Sequence, residues 1–235
     1  MKNERGNILF LILLAVVLFA ALSYAVTQGM RGGGNDASNE KTQAQTSELL
    51  NYFTQLDTAV QRMMLTGGVK DYELNFYYAF GNNYVAGTDN TNCTASRCRV
   101  FDPAGGGVTG RQLDGFTRTG VSDAERLMYE SVPGVGTDLP DIVFRVTGIQ
   151  PAICLEINKR IGINDHIYNA ANIDANSYYQ GSLSGPIPAS TATLTGIPIS
   201  AAQAGTFCFC IYADKNSCET SSPYRPTVAH VLVAR

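Results

Sequence analysis

Charge, histidine and tryptophan are all scarce in this chain of 235 residues. Only 16% of residues are charged and 45% are hydrophobic, so a core is feasible and wholesale disorder is not expected. Lysine and arginine number 17 against 20 acids, a net charge of -3. Without a basic surplus, nucleic acid is not expected as a partner. No G-x-S-x-G stretch supports a hydrolase nucleophile, and no D-x-D-x-D-G run supports a calcium loop. The two histidines are His166 and His230. His230 falls in an apolar stretch and reads as structural. His166 follows Asp165 in a polar loop, with no constellation around it. The chain therefore reads as a non-enzyme, with no catalytic, cofactor-binding or metal residues assigned. Tryptophan is absent, whereas 12 tyrosines and 23 glycines suit a loop-rich, extracytoplasmic surface. The length allows one ordinary domain plus a tail, or two small domains.

Six cysteines are present: Cys93, Cys98, Cys154, Cys208, Cys210 and Cys218. An even count beside an export-type N-terminus points to as many as three disulfides and an oxidising compartment. Cys208 and Cys210 lie two apart, so a strand puts both on one face. An extended C-x-C rarely closes on itself, because the span tends to exceed disulfide reach. The expected pairing is Cys93–Cys98, Cys154–Cys208 and Cys210–Cys218, the last two being interchangeable. Zinc held by Cys154, Cys208, Cys210 and Cys218 is the alternative. The spacing is not that of a zinc knuckle, and export disfavours it.

The N-terminus decides the class. Residues 1–6 read MKNERG, and from Ile8 to Val26 every residue is apolar except Ser23 and Tyr24. At about 1.5 Å per residue this run can cross a hydrocarbon core of about 30 Å. Lys2 and Arg5 should stay cytoplasmic, with the rest facing outward. Three fates compete. The run is a permanent signal anchor, or a secretory signal cut after Ala25, or a helix kept after a leader is cut at Gly6.

Arg5-Gly6 followed by NILFLILLAVVLFAALSYAVTQ resembles the start of type IV pilins and type II secretion pseudopilins. The resemblance covers about the first 30 residues, and more loosely the helix after them. It implies cleavage between Gly6 and Asn7 by a prepilin peptidase. It also implies an apolar helix that leaves the inner membrane to form the core of a filament. The implied partners are the membrane, other pilin-like subunits and an inner-membrane assembly platform. The implied location is the inner membrane before assembly, with the head periplasmic or extracellular, and a cell-surface filament afterwards. Two residues depart from the pattern. Asn7 stands where the family prefers an aromatic residue or Met, and Leu11 where most members carry Glu. The lack of that Glu fits a minor or tip subunit. Loops of some pseudopilins bind Ca²⁺, for which Asp165, Asp174 and Asp214 would be candidates here; otherwise no cofactor is implied.

Past the apolar run, Gly29 and Gly32–Gly34 predict a C-cap and a flexible break. Asp36, Ser38 and Asn39 offer N-cap oxygens. Leu49, Phe53, Leu56, Val60 and Met63 then form one apolar stripe on a helix of about 40–65, ended by Thr66-Gly67-Gly68. Strands are predicted at 73–80, 141–149, 206–213 and 227–234, the last two as a hairpin, and one more near 191–199. Ser122-x-x-Glu125 predicts a short helix over 123–131. Pro151 predicts the first turn of another, with Ile153, Ile157 and Ile161 inward and Gly162 closing it. Residues 163–205 read as a long loop region, and the pairs Tyr77-Tyr78 and Tyr178-Tyr179 as half core, half surface.

The predicted fold is α+β. An N-terminal transmembrane helix precedes an amphipathic helix packed on a mostly antiparallel sheet, disulfide-stapled and loop-rich. The segments are a leader (1–6), an assembly helix (7–28), a Gly-rich hinge (29–39) and a pilin-like head (40–235). The function expected is a subunit of a pilus-like or pseudopilus-like filament. The alternative is a signal-anchored periplasmic or surface binding module.

Overall fold

The computed structural model describes residues 5–77, 79–80, 83–84, 90–111, 113, 115–117, 125–130, 132, 134–137, 141–163, 168–170, 199–211 and 225–234. The chain divides into two compact units between Ala44 and Gln45.

Helix α1 (Arg5–Leu65) belongs to both units. The helix runs through Gly29 and Gly32–Gly34, where the sequence predicts a C-cap and break. A helical glycine costs about 1 kcal/mol relative to alanine. Ending a helix there would instead orphan several backbone groups at each new terminus. With no proline in the stretch, continuation is the outcome. Ser38 is accordingly an interior residue rather than a cap, and its carbonyl accepts a bond from Thr42 Oγ1 at 3.0 Å.

In the second unit the predicted stripe is the centre of the core. Leu49, Phe53, Leu56, Val60 and Met63 are all buried, joined by Tyr52 and Ala59. The helix closes as predicted around Thr66-Gly67-Gly68. The amides of Thr66 and Gly67 both donate to Arg62 O, and Val69 N reaches back to Met63 O. That return requires the left-handed conformation of Gly68, at φ 63°.

A two-stranded ribbon pairs β1 (Ala79–Phe80) with β2 (Asn83–Tyr84). The main sheet uses β3 (Glu125–Glu130), β4 (Asp141–Thr147), β5 (Tyr168–Ala170), β6 (Thr206–Ile211) and β7 (Arg225–Val233). Its order is β3-β4-β7-β6-β5. Every pairing is antiparallel except β5 with β6. All seven residues of β4 are buried, so both faces of this interior strand are covered. On one face Phe144 meets Phe53 and Tyr52 edge-on, with ring centroids 6.0 and 6.3 Å apart. On the other, Val143 joins a second cluster with Phe207, Phe209 and Ala229. Helix α2 (Pro151–Arg160) starts with Pro151 at its first turn, and a five-residue α3 (Ile199–Gln203) precedes β6.

Several expectations are corrected. Residues 125–130 are strand β3, not a helix. Six successive pairings with β4, from Glu125↔Val146 to Glu130↔Asp141, use backbone groups that β4 would otherwise leave unpaired. Tertiary pairing there outweighs a local capping signal. The long strand at 73–80 is reduced to β1. Residues Asp71–Glu73 form a 3₁₀ turn, and Asn75 makes an isolated bridge to Arg99. Ile161 is only half-buried, because it caps α2 rather than continuing its inward stripe. Ile199 begins α3, and the rest of the strand expected near 191–199 lies outside the described residues.

Candidate functional site: the apolar helix and the tied head

Gly6 and Asn7 lie in the first turns of α1. From Phe10 to Gln28 the helix is long and apolar enough to cross a membrane, by length and composition. All 19 residues of that stretch are exposed, from Leu14 at 46% to Phe19 at 74% among the large apolar side chains. Leu11 is one of them. Two polar side chains of the segment bond along the helix itself. Thr27 Oγ1 donates to Ser23 O at 2.7 Å, and Gln28 Nε2 donates to Tyr24 Oη at 2.6 Å. Such local bonding is what a low-dielectric surrounding requires of polar side chains.

In the second unit, disulfides tie elements of the head. Cys93–Cys98 closes a small loop whose last turn is the 3₁₀ segment Ser96–Cys98. Cys154–Cys208 staples α2 to β6. The zinc alternative therefore falls, because two of its four thiolates are consumed by this bond. Cys210 is also disulfide-bonded and buried, and Cys218 lies outside the described residues. Beside the staple, Asn158 is fully buried. Its Nδ2 donates to Cys208 O at 3.1 Å, and its Oδ1 accepts from Cys208 N at 2.9 Å. This clamp is not foreseen from the sequence. A signal existed: Asn158 stands four residues after Cys154, hence on the same face of α2.

His230 sits on β7 inside the core, as its apolar neighbours suggest. Its ring stacks on Phe53 at 4.8 Å with 9° between planes. Nδ1 is 2.6 Å from Thr206 Oγ1 on β6. Nε2 lies 3.0 Å from Asp57 Oδ1 on α1, without hydrogen-bond alignment. Hydroxyl, imidazole and carboxylate thus form a row, yet Thr206 and His230 are both buried against helix and sheet. The row joins α1 to the sheet. On the opposite face, buried Arg145 lies over the Phe209 ring at 5.3 Å. Buried Asp141 accepts a bond from Val132 N at 3.1 Å.

Among the described residues, no group of three or more His, Cys, Asp or Glu could hold a metal ion. Asp165, His166, Asp174, Asp214, Tyr78, Tyr178 and Tyr179 lie outside the described residues. Tyr77 is about half exposed. No protein-family model, curated protein or solved structure matches the chain.

Proposed function

We propose that this chain is a structural subunit of a pilus-like or pseudopilus-like filament, of the minor or tip kind. It assembles through residues 7–28, and its role is assembly rather than catalysis. One observation carries the reading. Between Phe10 and Gln28 the helix exposes apolar side chains all round. A helix that is apolar all round needs lipid or other helices about it. A filament subunit meets both, lipid before assembly and neighbouring helices after it. Gly6, one residue ahead of the helix kept after cleavage, suits a leader cut on the cytoplasmic side. Leu11 in place of Glu leaves no carboxylate to pair with a neighbour's free amine, which suits a subunit that is not buried between identical copies.

A second reading rests on the same segment. Phe10–Gln28 suffices alone to hold a head at a membrane. The protein would then be a signal-anchored periplasmic or surface binding module with a disulfide-bonded head.

N-terminal sequencing and unreduced intact mass separate the two. Protein made beside an active prepilin peptidase should begin at Asn7 and shear from the cell with a filament fraction. Retention of Lys2–Gly6, with protein extracted only by detergent, would favour the anchored module. A start at Val26 would overturn both readings.

A further inference from the structure

The outer face of α1 in the second unit forms one wall of a groove of about 330 Å³, and the loop Gly106–Thr109 forms the other. Asn51, Gln55, Thr58 and Arg62 follow one another on the helix wall over about 16 Å. The opposite rim is held in place before any ligand arrives. Arg62 Nη2 donates to Gly105 O at 3.1 Å and to Gly106 O at 2.6 Å. The amides of Gly105 and Gly107 both donate to Asp102 O, and that of Gly106 to Arg99 O. Gly106 admits no side chain, since a Cβ would stand 2.2 Å from Val100 O, and Gly107 is left-handed at φ 64°. A rim fixed in this way lowers the ordering cost of binding.

The lining selects a chemical class. Among the described residues that line it there is no aromatic ring, carboxylate, histidine or cysteine, and Ala59 and Val108 are the sole hydrophobic side chains. A nucleobase would find no stacking partner, a metal ion no ligand set, and an apolar ligand no floor. What remains is a polar ladder with one cation. Thr54 and Thr58 spend their hydroxyl hydrogens on Leu50 O and Thr54 O, at 3.0 and 2.8 Å, leaving oxygen lone pairs to accept from ligand hydroxyls. Asn51 and Gln55, four apart on the helix, each offer an amide donor and acceptor. Arg62 uses Nη2 on the rim, and the rest of its planar donor fork suits a carboxylate. We propose that this groove binds an acidic saccharide, its hydroxyls on the Asn51–Gln55–Thr58 ladder and its carboxylate toward Arg62. The proposal does not depend on the assembly reading.

The test titrates the full-length protein in detergent micelles with a galacturonic acid trisaccharide, the corresponding neutral galactose trisaccharide, and sulfate. Calorimetry gives affinity, and amide shifts at Gly106–Thr109 give location. The acidic sugar should bind saturably, about tenfold more tightly than the neutral one. Asn51→Ala and Gln55→Ala are exposed changes that should leave Tm unchanged and weaken binding severalfold. Absence of binding, shifts elsewhere, indifference to both substitutions, or sulfate binding as tight as the sugar would each overturn the proposal.

Discussion

Asn158 and Cys208 hold each other twice: the side-chain amide of one donates to the carbonyl of the other and accepts from its N–H, at 3.1 and 2.9 Å. A β-strand backbone is thus hydrogen-bonded to a helix side chain as if to another strand. Replacement by leucine, which has the same branching and the same number of side-chain heavy atoms, would leave a buried N–H and a buried C=O without partners. Each orphan costs about 1–3 kcal/mol. Asn158→Leu is expected to lower stability by about 2–6 kcal/mol. Urea unfolding would register this as a fall in midpoint with an unchanged slope.

The disulfide beside that clamp should outweigh the smaller one. Cys154–Cys208 spans 54 positions and Cys93–Cys98 spans five. Constraining the unfolded chain scales with the logarithm of loop length, giving about 4 kcal/mol for the first and about 2 kcal/mol for the second. Replacing both Cys154 and Cys208 by alanine should therefore depress the thermal midpoint more than replacing both Cys93 and Cys98. Equal depressions would mean that the loss of packing at Cys154 and Cys208 and of chain restriction are not the governing terms.

Within α1, burial should decide the effect of a substitution. Phe53 is 1% exposed, with Phe144 edge-on and His230 stacked against it, whereas the next residue, Thr54, is exposed. Phe53→Ala should cost about 3–5 kcal/mol through lost transfer energy and a cavity. Thr54→Ala should fall within about 0.5 kcal/mol of the parent. Parallel denaturation curves on the two variants make the comparison.

These contrasts also separate what is legible in the sequence from what is not. The stripe from Leu49 to Met63 was plain because a helix half in contact with a core must repeat its apolar residues near 3.6. Pro151 and Gly162 were plain because their backbone preferences act locally. The segment 125–130 misled, since Ser122 and Glu125 satisfy a local capping rule while the pairing that governs the outcome lies in residues 141–146, far along the chain. The glycines at 32–34 misled for a different reason: a helix can bear their cost when both flanks propagate. The row Asp57–His230–Thr206 was invisible, because its three members come from α1, β7 and β6 and meet only once the sheet forms. The groove beside Arg62 likewise needs a loop 43 residues away, counted from Arg62 to Gly105.

Gly32–Gly34 sit in α1 at a cost of about 1 kcal/mol each, so that stretch is the easiest part of the helix to open. Hydrogen exchange on micelle-bound protein should find the amides around it far less protected than those at Leu56 to Met63. Replacing all three glycines by alanine should slow local exchange there by more than tenfold, at about fivefold per kcal/mol. Unchanged exchange would place the weak point elsewhere.

The remaining prediction concerns the surface on which the functional reading rests. Val17 lies near the middle of Phe10–Gln28 and is 56% exposed. Arginine at the centre of a membrane-spanning helix costs about 2.5–3.5 kcal/mol on insertion scales. Spread over one segment with no other charged residue, that cost should visibly reduce the fraction of Val17→Arg protein resisting carbonate extraction. Leu65→Arg supplies the control: this side chain is 83% exposed at the far end of α1, beyond the apolar stretch, so membrane retention should not change. Loss of retention in the first variant alone ties membrane attachment to Phe10–Gln28. Loss in both would point to a folding defect, and loss in neither would mean that the segment does not hold the protein at the membrane.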